Sequence, residues 1–403
     1  SMASEDVKVD IGVGNAGEIH NDLIGLSSIL ICTPFVGTDL VLKFPVSDQF
    51  LQGVNSVITK YRVVSSSTDS IMPRERNNGI LPGLAFSGGA DSMAALSIMP
   101  KTTVPVFLNR PRRSGSMYKP EAALAACEEL RECGFQVRIV DSDLEYIREP
   151  VGFPTDLANA IPAILLADQC GLGSISFGTV LESAYGMGHE EYVNYGSSPH
   201  WRFFNKIFTA AGIQLSLPTI GISEVGTAII CRSTPLGKLS QSCIRGSVGK
   251  PCLFCWKCFR KELLSYSLWG VEDSGLLYKM LKSNEVQVRL SSYPIDHENI
   301  IAFSIQRIDL EKHPYLKPLA DKLDLNQNLE MLNSWFSPSI DFVPDGIRNT
   351  IRENILGIIS PMTEDEELAI TKWDMRGHLA DKRTKAAQEK LTTFWQDLTD
   401  RFG

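Results

Sequence analysis

Gly83-Leu84-Ala85-Phe86-Ser87-Gly88-Gly89-Ala90-Asp91-Ser92-Met93-Ala94-Ala95-Leu96-Ser97-Ile98-Met99 is the stretch that orders the rest of the chain. Its first four residues form a short apolar run suited to a buried strand, and Asp91 to Met99 carries helical periodicity. Two glycines flanked by hydroxyl residues lie between. Glycine lets the backbone turn sharply and lets N–H groups approach an anion with no Cβ in the way. The following helix aims its positive end at the same place. The segment therefore reads as a loop that wraps the pyrophosphate part of a nucleotide. Ser87 and Ser92 add hydroxyl donors, Gly88, Gly89 and Ala90 add backbone, and Asp91 is expected to help place Mg²⁺. No Gly-Lys-Ser or Gly-Lys-Thr at Walker spacing occurs. An upstream G-x-G-x-x-G match at Gly12 to Gly17 is followed by the polar Glu18, His20, Asn21 and Asp22. That is a poor start for a helix packing on a sheet, so the match reads as a turn and not a dinucleotide site.

Working outward, strands and helices alternate. Val104–Leu108, Gln136–Val140 and Ser174–Phe177 read as strands, and Lys119–Cys133, Asn159–Gln169 and Phe203–Ala211 as helices. Such alternation predicts an α/β domain with a parallel sheet over residues 81–270. Ligands on such sheets gather at the carboxyl ends of strands. The loops expected to line a site are then Ser87–Ser92, Asn109–Arg113, Asp141–Asp143 and Gly178–Glu182. Residues 1–80 read as a β-rich extension, with Ser28–Phe35 and Leu40–Phe44 as strands. Residues 271–403 read as a helical extension, ending in the amphipathic Lys382–Phe402. Trp269, Trp335, Trp373 and Trp395 are expected to pack helices.

Cys243, Cys252, Cys255 and Cys258 form a C-x8-C-x2-C-x2-C pattern. Four thiolates at this spacing can surround one tetrahedral Zn²⁺, and a saturated site of this kind is structural. An iron–sulfur cluster is the rival, but the ferredoxin run needs a fourth cysteine three residues on, where Glu262 and Leu263 stand instead. Arg245, Lys250, Lys257, Arg260 and Lys261 are expected to offset the charge of the thiolates. The other five of the nine cysteines sit singly, which fits a reduced, cytoplasmic protein. A net charge of −8 disfavours broad contact with nucleic acid, and no apolar run is long enough to span a bilayer.

The order of Ser87–Ser92, Phe177-Gly178-Thr179, Thr234-Pro235-Leu236 and the cysteines resembles 7-cyano-7-deazaguanine synthase, a family of PP-loop ATP pyrophosphatases. The likeness covers roughly residues 82–270. It implies a Rossmann-like fold, ATP held by Ser87, Gly88, Gly89, Ala90, Asp91 and Ser92 with Asn109, Gly178 and Thr179 nearby, and zinc on the four cysteines. Asp91 and Ser92 would take the catalytic part. It further implies adenylation of 7-carboxy-7-deazaguanine and displacement of AMP by an amine.

Three departures stand out. Ser223-Glu224 replaces the family's Thr-Lys, so a phosphate-binding lysine is missing. The family's Tyr-Pro-Asp-Cys-Arg segment appears only as Ser198-Pro199-His200-Trp201-Arg202, which leaves Arg202 as the candidate match. The flanks have no place in the compact enzyme. Relatives with added flanks occur in bacterial antiphage gene clusters, which implies a protein amine as acceptor. The alternatives are ammonia giving a nitrile, a thiolation enzyme acting on tRNA, or a non-catalytic module. The last helix is expected to dock a partner, cover the α/β domain or pair two subunits in a homodimer.

Overall fold

Leu23, Leu26, Ile29 and Leu30 recur at helical spacing and are fully buried, so the strand expected over Ser28–Phe35 is instead the end of helix α1 (Asn21–Cys32). The periodic partners of that run lie upstream of it, and the His20 side chain caps the helix by accepting from the Asp22 N–H. In this computed structural model the described residues are 1–12, 19–67, 69, 71–75, 81–114, 116–270 and 274–400. All but Gly12 of the G-x-G-x-x-G match lies outside them. The N-terminal region is mixed and not β-rich. It holds β1 (Val9–Asp10), α1, β2 (Asp39–Leu42), α2 (Asp48–Asn55) and β3 (Arg62–Ser65). β2 and β3 form a small parallel pair of their own.

The α/β pattern then unfolds much as the periodicity predicts. β4 (Leu81–Phe86) leads into α3 (Ala90–Ile98), β5 (Val104–Asn109), α4 (Glu121–Glu132) and β6 (Arg138–Ser142). The helix expected over Asn159–Gln169 is broken at Leu166 into α5 (Ile161–Leu165) and α6 (Ala167–Cys170). After β7 (Leu172–Ser176) come α7 (Leu181–Tyr185) and α8 (Pro199–Ala210). The next strand, β8 (Gln214–Ser216), has only three residues, too short to leave a periodic trace. α9 (Glu224–Ser233) and α10 (Trp256–Trp269) flank the cysteine segment.

The six-stranded sheet has the order β1-β6-β5-β4-β7-β8, and every pairing is parallel except that of β1 with β6. Both faces are covered. Leu84, Phe86 and Phe107 face a core with Met93 and Leu96 of α3, Leu130 of α4 and Ile230 of α9. Ala85, Val104, Val106 and Ile175 face the other, with Ile164 of α5, Phe208 of α8 and Leu26 of α1. Alternating strand residues thus serve two layers, the pattern of a fully buried parallel sheet.

The segment after residue 270 is helical, as expected, and enters these same cores. Ile351 and Ile355 of the helix Asp345–Leu356 belong to the core built on α3, and Asn354 Nδ2 donates to Ile98 O at 2.9 Å. Trp335 and Val343 join the same core, while Phe336 N–H donates to Gly221 O and Leu217 N–H to Phe342 O. The terminal helix Lys382–Asp400 buries Ala387, Leu391 and Trp395 against the chain's own helices Lys317–Ala320 and Arg376–Ala380. No helix among the described residues is long and apolar enough to cross a membrane.

Candidate active site

From β4 the chain winds outward through β5 and β6, then returns to place β7 on the other side of β4. Loops on either side of such a reversal diverge and leave a crevice at the carboxyl edge. Ser87–Ser92 stands there. Gly88 has φ +74°, a conformation costly for any other residue, and a Cβ on it would lie 3.0 Å from that of Ala123. Ser92 Oγ donates to Gly89 O at 3.1 Å and accepts from Ser87 N–H at 3.3 Å, with Ser87 Oγ 3.0 Å away. Ser92 is buried and braces the loop, whereas Ser87 is exposed and open to a ligand. The loop is strapped from behind: Gln241 N–H donates to Gly88 O at 2.8 Å, and Ala90 N–H donates to Ser242 Oγ at 3.1 Å.

Gly178, just past β7, backs into this loop. A Cβ there would lie 2.7 Å from the Asp91 carbonyl carbon and the Ser92 nitrogen, both backbone atoms that cannot step aside. Thr179 O accepts from Thr219 Oγ1 at 2.9 Å, which fixes the segment. Across β4, Asn109 ends β5 and donates through Nδ2 to Asp141 Oδ1 at 2.6 Å, leaving its own buried Oδ1 without a partner. Asn109, Ser87–Ser92, Gly178 and Thr179 therefore share one edge of three adjacent strands. Arg202 does not join them. It stands exposed on α8, which packs beside the edge strand β8.

Asp91 faces a cation, but that cation is a side chain. Its Oδ1 receives Thr227 Oγ1 at 3.2 Å and Lys261 Nζ at 3.4 Å. Lys261 Nζ also lies 3.0 Å from Glu224 Oε2, and Glu224 Oε1 lies 2.7 Å from Arg260 and 3.1 Å from His297 Nδ1. Arg260 and Lys261 thus turn inward to Glu224 and do not screen the cysteines, contrary to the expectation from their spacing. Burial alone would raise the Glu224 carboxyl; Lys261, Arg260 and His297 outweigh it and hold it well below the usual carboxylate range. Burial would likewise depress the Lys261 ammonium, yet Asp91 and Glu224 hold it above its ordinary value.

Glu182 sits in the same interior, fully buried. It accepts from the Glu224 N–H at 3.1 Å and from Asn299 Nδ2 at 3.2 Å. Burial, then the neighbouring Glu224 charge, push its carboxyl up to about 8. The Glu224 carboxylate is already met by Arg260 and Lys261, and a second buried charge beside it is disfavoured, so Glu182 keeps its proton. Sequence reasoning misses this network because its members come from five separate segments. One signal is present in the sequence, since Ser223-Glu224 departs from the resembled family's Thr-Lys.

The four cysteines converge. Their sulfur atoms all lie within 4.8 Å of one another, and Cys252 and Cys258 Sγ are 3.7 Å apart. Thiolates on a tetrahedral ion at about 2.3 Å are spaced about 3.8 Å, so the donor set fits one metal ion. Leu253 takes φ +60° in the x2 turn, and the Cys252 N–H donates to Cys243 Sγ at 3.3 Å. Arg245 pairs with Glu285, which also accepts the Trp256 N–H and so ties the cluster to the start of α10.

A cavity of about 480 Å³ opens between α9, the cysteine segment and α10, with Ala90 of the glycine loop and Lys261 on its wall. Fold and site together define a mixed α/β chain with a glycine-rich loop at the reversal of a mostly parallel sheet and a four-cysteine cluster able to take a metal. The model of a family of unknown function, DUF6395, matches residues 203–374. That match takes in the cysteines, Glu224, Arg260, Lys261 and His297 but not the glycine loop. Comparison with curated proteins and with solved structures finds no match.

Proposed function

We propose that this chain is a PP-loop enzyme of Rossmann-like fold that activates a carboxylic acid with ATP and passes the acyl group to an amine. The observation that carries the reading is the Ser87–Ser92 loop, set at the reversal of the sheet with Gly178 pressed against it. A carboxylate oxygen attacks the α-phosphorus, and pyrophosphate leaves into the loop. The amine nitrogen then attacks the acyl carbon, AMP departs, and the nitrogen loses a proton to give an amide. Positioning and charge neutralisation do most of this work. Mg²⁺ travels with ATP; both described partners of Asp91 use Oδ1, which leaves Oδ2 for the hydrated ion. Zn²⁺ on Cys243, Cys252, Cys255 and Cys258 is structural, tying α10 and hence Lys261 to the site.

The sequence resemblance supplies the substrates: 7-carboxy-7-deazaguanine as the acid, and a protein amine as the acceptor in antiphage defence. Ammonia, leading to the nitrile, is the competing acceptor. The thiolation reading loses ground because Cys231, whose thiol donates to Ala90 O beside the loop, is pushed by burial up to about 11 and is no thiolate at neutral pH. The test is product analysis with ATP, Mg²⁺ and 7-carboxy-7-deazaguanine. AMP and pyrophosphate formed only with the acid are expected, and ADP as product would overturn the assignment. A mass increase on a candidate protein acceptor, against free nitrile, separates the two amines.

A further inference from the structure

We propose that the outer face of the cysteine segment, together with the loop that follows β5, is a docking surface for an acidic polypeptide segment that carries large apolar side chains.

The apolar part is concentrated. Among the described residues fifteen large apolar side chains stand exposed, and four of them, Ile244, Val248, Leu253 and Phe254, fall within positions 244–254. The segment folds back on itself, with Gln241 Nε2 donating to Ser247 O at 3.1 Å and the Cys252 N–H meeting Cys243 Sγ, so the four share one small knuckle. Met117 adds a fifth, because the Lys119 N–H donates to Ile244 O at 2.7 Å and fastens the loop after β5 to the knuckle. Metal binding does not call for these side chains: the x2 turns need sulfur at their ends and backbone between. Leu253 sits at φ +60°, where glycine or asparagine is the usual choice, so a bulky exposed leucine is held there at a cost. A patch of this kind marks contact with another molecule. Trp269, at the far end of α10, is also two-fifths exposed, but the Arg232 guanidinium lies over its ring at 5.6 Å.

Charge selects the partner. Neither 110–120 nor 242–261 contains an acidic residue, whereas Arg112, Arg113, Lys119, Arg245, Lys250 and Lys257 lie in them. Arg260 and Lys261 turn inward and are taken up by Glu224 and Asp91. Glu121 and Glu285 reach in from neighbouring helices and pair with Arg112 and Arg245. Four thiolates around a divalent ion subtract about two charges more, which leaves about +2 on the face. The chain as a whole carries −8. A second copy docked by a two-fold axis would set this positive face against itself. A nucleic acid would meet aliphatic side chains where its bases need rings to stack on. An acidic segment with apolar anchors satisfies both features. Gln241 and Ser242, at the start of the same segment, bond to Gly88 and Ala90, so a docked segment lies beside the glycine loop. In the reaction proposed above it belongs to the acceptor protein, and that last step alone rests on the functional reading.

The experiment titrates the full chain, without ATP or acid, into a labelled helix-forming peptide with leucine at helical spacing and glutamate elsewhere, followed by fluorescence anisotropy. One control peptide has lysine for glutamate, the other serine for leucine. Val248→Ser combined with Phe254→Ser removes two anchors, and Lys250→Glu reverses a charge. All three side chains are exposed, and unchanged melting and metal content confirm that the variants fold. The glutamate–leucine peptide should bind about ten-fold or more tightly than either control, and each variant should weaken it about ten-fold or more. Added salt should weaken it further. No binding to the unaltered protein, equal binding of the three peptides, or binding that the variants leave unchanged overturns the docking surface. A dimer that the double variant dissociates gives the face to a second copy, and oligonucleotide binding lost in Lys250→Glu gives it to nucleic acid; either result also overturns the proposal. Peptide binding by a chain that forms no AMP upholds the docking surface and removes only its assignment to the acceptor.

Discussion

Glu182→Gln should flatten the alkaline side of the chain's stability profile. In the folded chain the Glu182 carboxyl is pushed up to about 8, against an ordinary value of 4.5. The folded state therefore holds one more proton than the unfolded state between those values. Stability linked to this proton is fully present below about pH 4.5, falls as pH rises, and is gone above about pH 8. A displacement of that size corresponds to about 5 kcal/mol over the whole window. Glutamine keeps the shape and the acceptor for the Glu224 N–H, and its amide can donate to Asn299 once that side chain turns over. The turn is favoured because Asn299 Oδ1 is buried without a partner. Urea unfolding of both proteins from about pH 5 to pH 9 is the assay. Every other titrating group is shared, so the difference between the curves isolates this carboxyl. The variant should gain several kcal/mol relative to the original as pH rises. A difference that stays constant with pH would refute the protonated assignment.

The remaining predictions concern the same interior and its neighbours. Glu224→Ala should destabilise the chain by about 3–5 kcal/mol in urea unfolding, because Arg260 and Lys261 lose the carboxylate that compensates their burial. Gly178→Ala forces a Cβ onto the backbone of Asp91 and Ser92; ATP cleavage should fall about ten-fold or more, at a stability cost of about 1–3 kcal/mol. Elemental analysis should find one zinc ion per chain, lost in Cys255→Ser along with much of the soluble yield. Iron in well-folded protein would contradict it.

What the sequence disclosed was local. The glycine loop and the cysteine cluster are short motifs whose residue types already state their geometry, and β4 and β5 are largely apolar runs bounded by turn residues. What stayed hidden depends on distance along the chain. Glu182 reaches Asn299 over 117 positions and Lys261 reaches Asp91 over 170. A glutamate in the first turn of a helix reads as a solvated cap, and nothing near Glu182 or Glu224 says that the helix is buried. α1 is hidden for a different reason. Its apolar residues are dense enough that the second half, taken alone, resembles a strand. Arg202 was matched by position in a motif, and position alone does not bring α8 to the loop.

The entry of Ile351 and Ile355 into the core built on α3 has a consequence for synthesis. α3 is covered first by α4 and α9, and the last part of its core, Ile351 and Ile355, follows roughly 250 positions later. At about 5–20 residues per second, that part of the core waits on the order of 10–50 s. A fragment ending near residue 270 would keep α4 and α9 on α3 but leave open the part of the core that Ile351 and Ile355 fill.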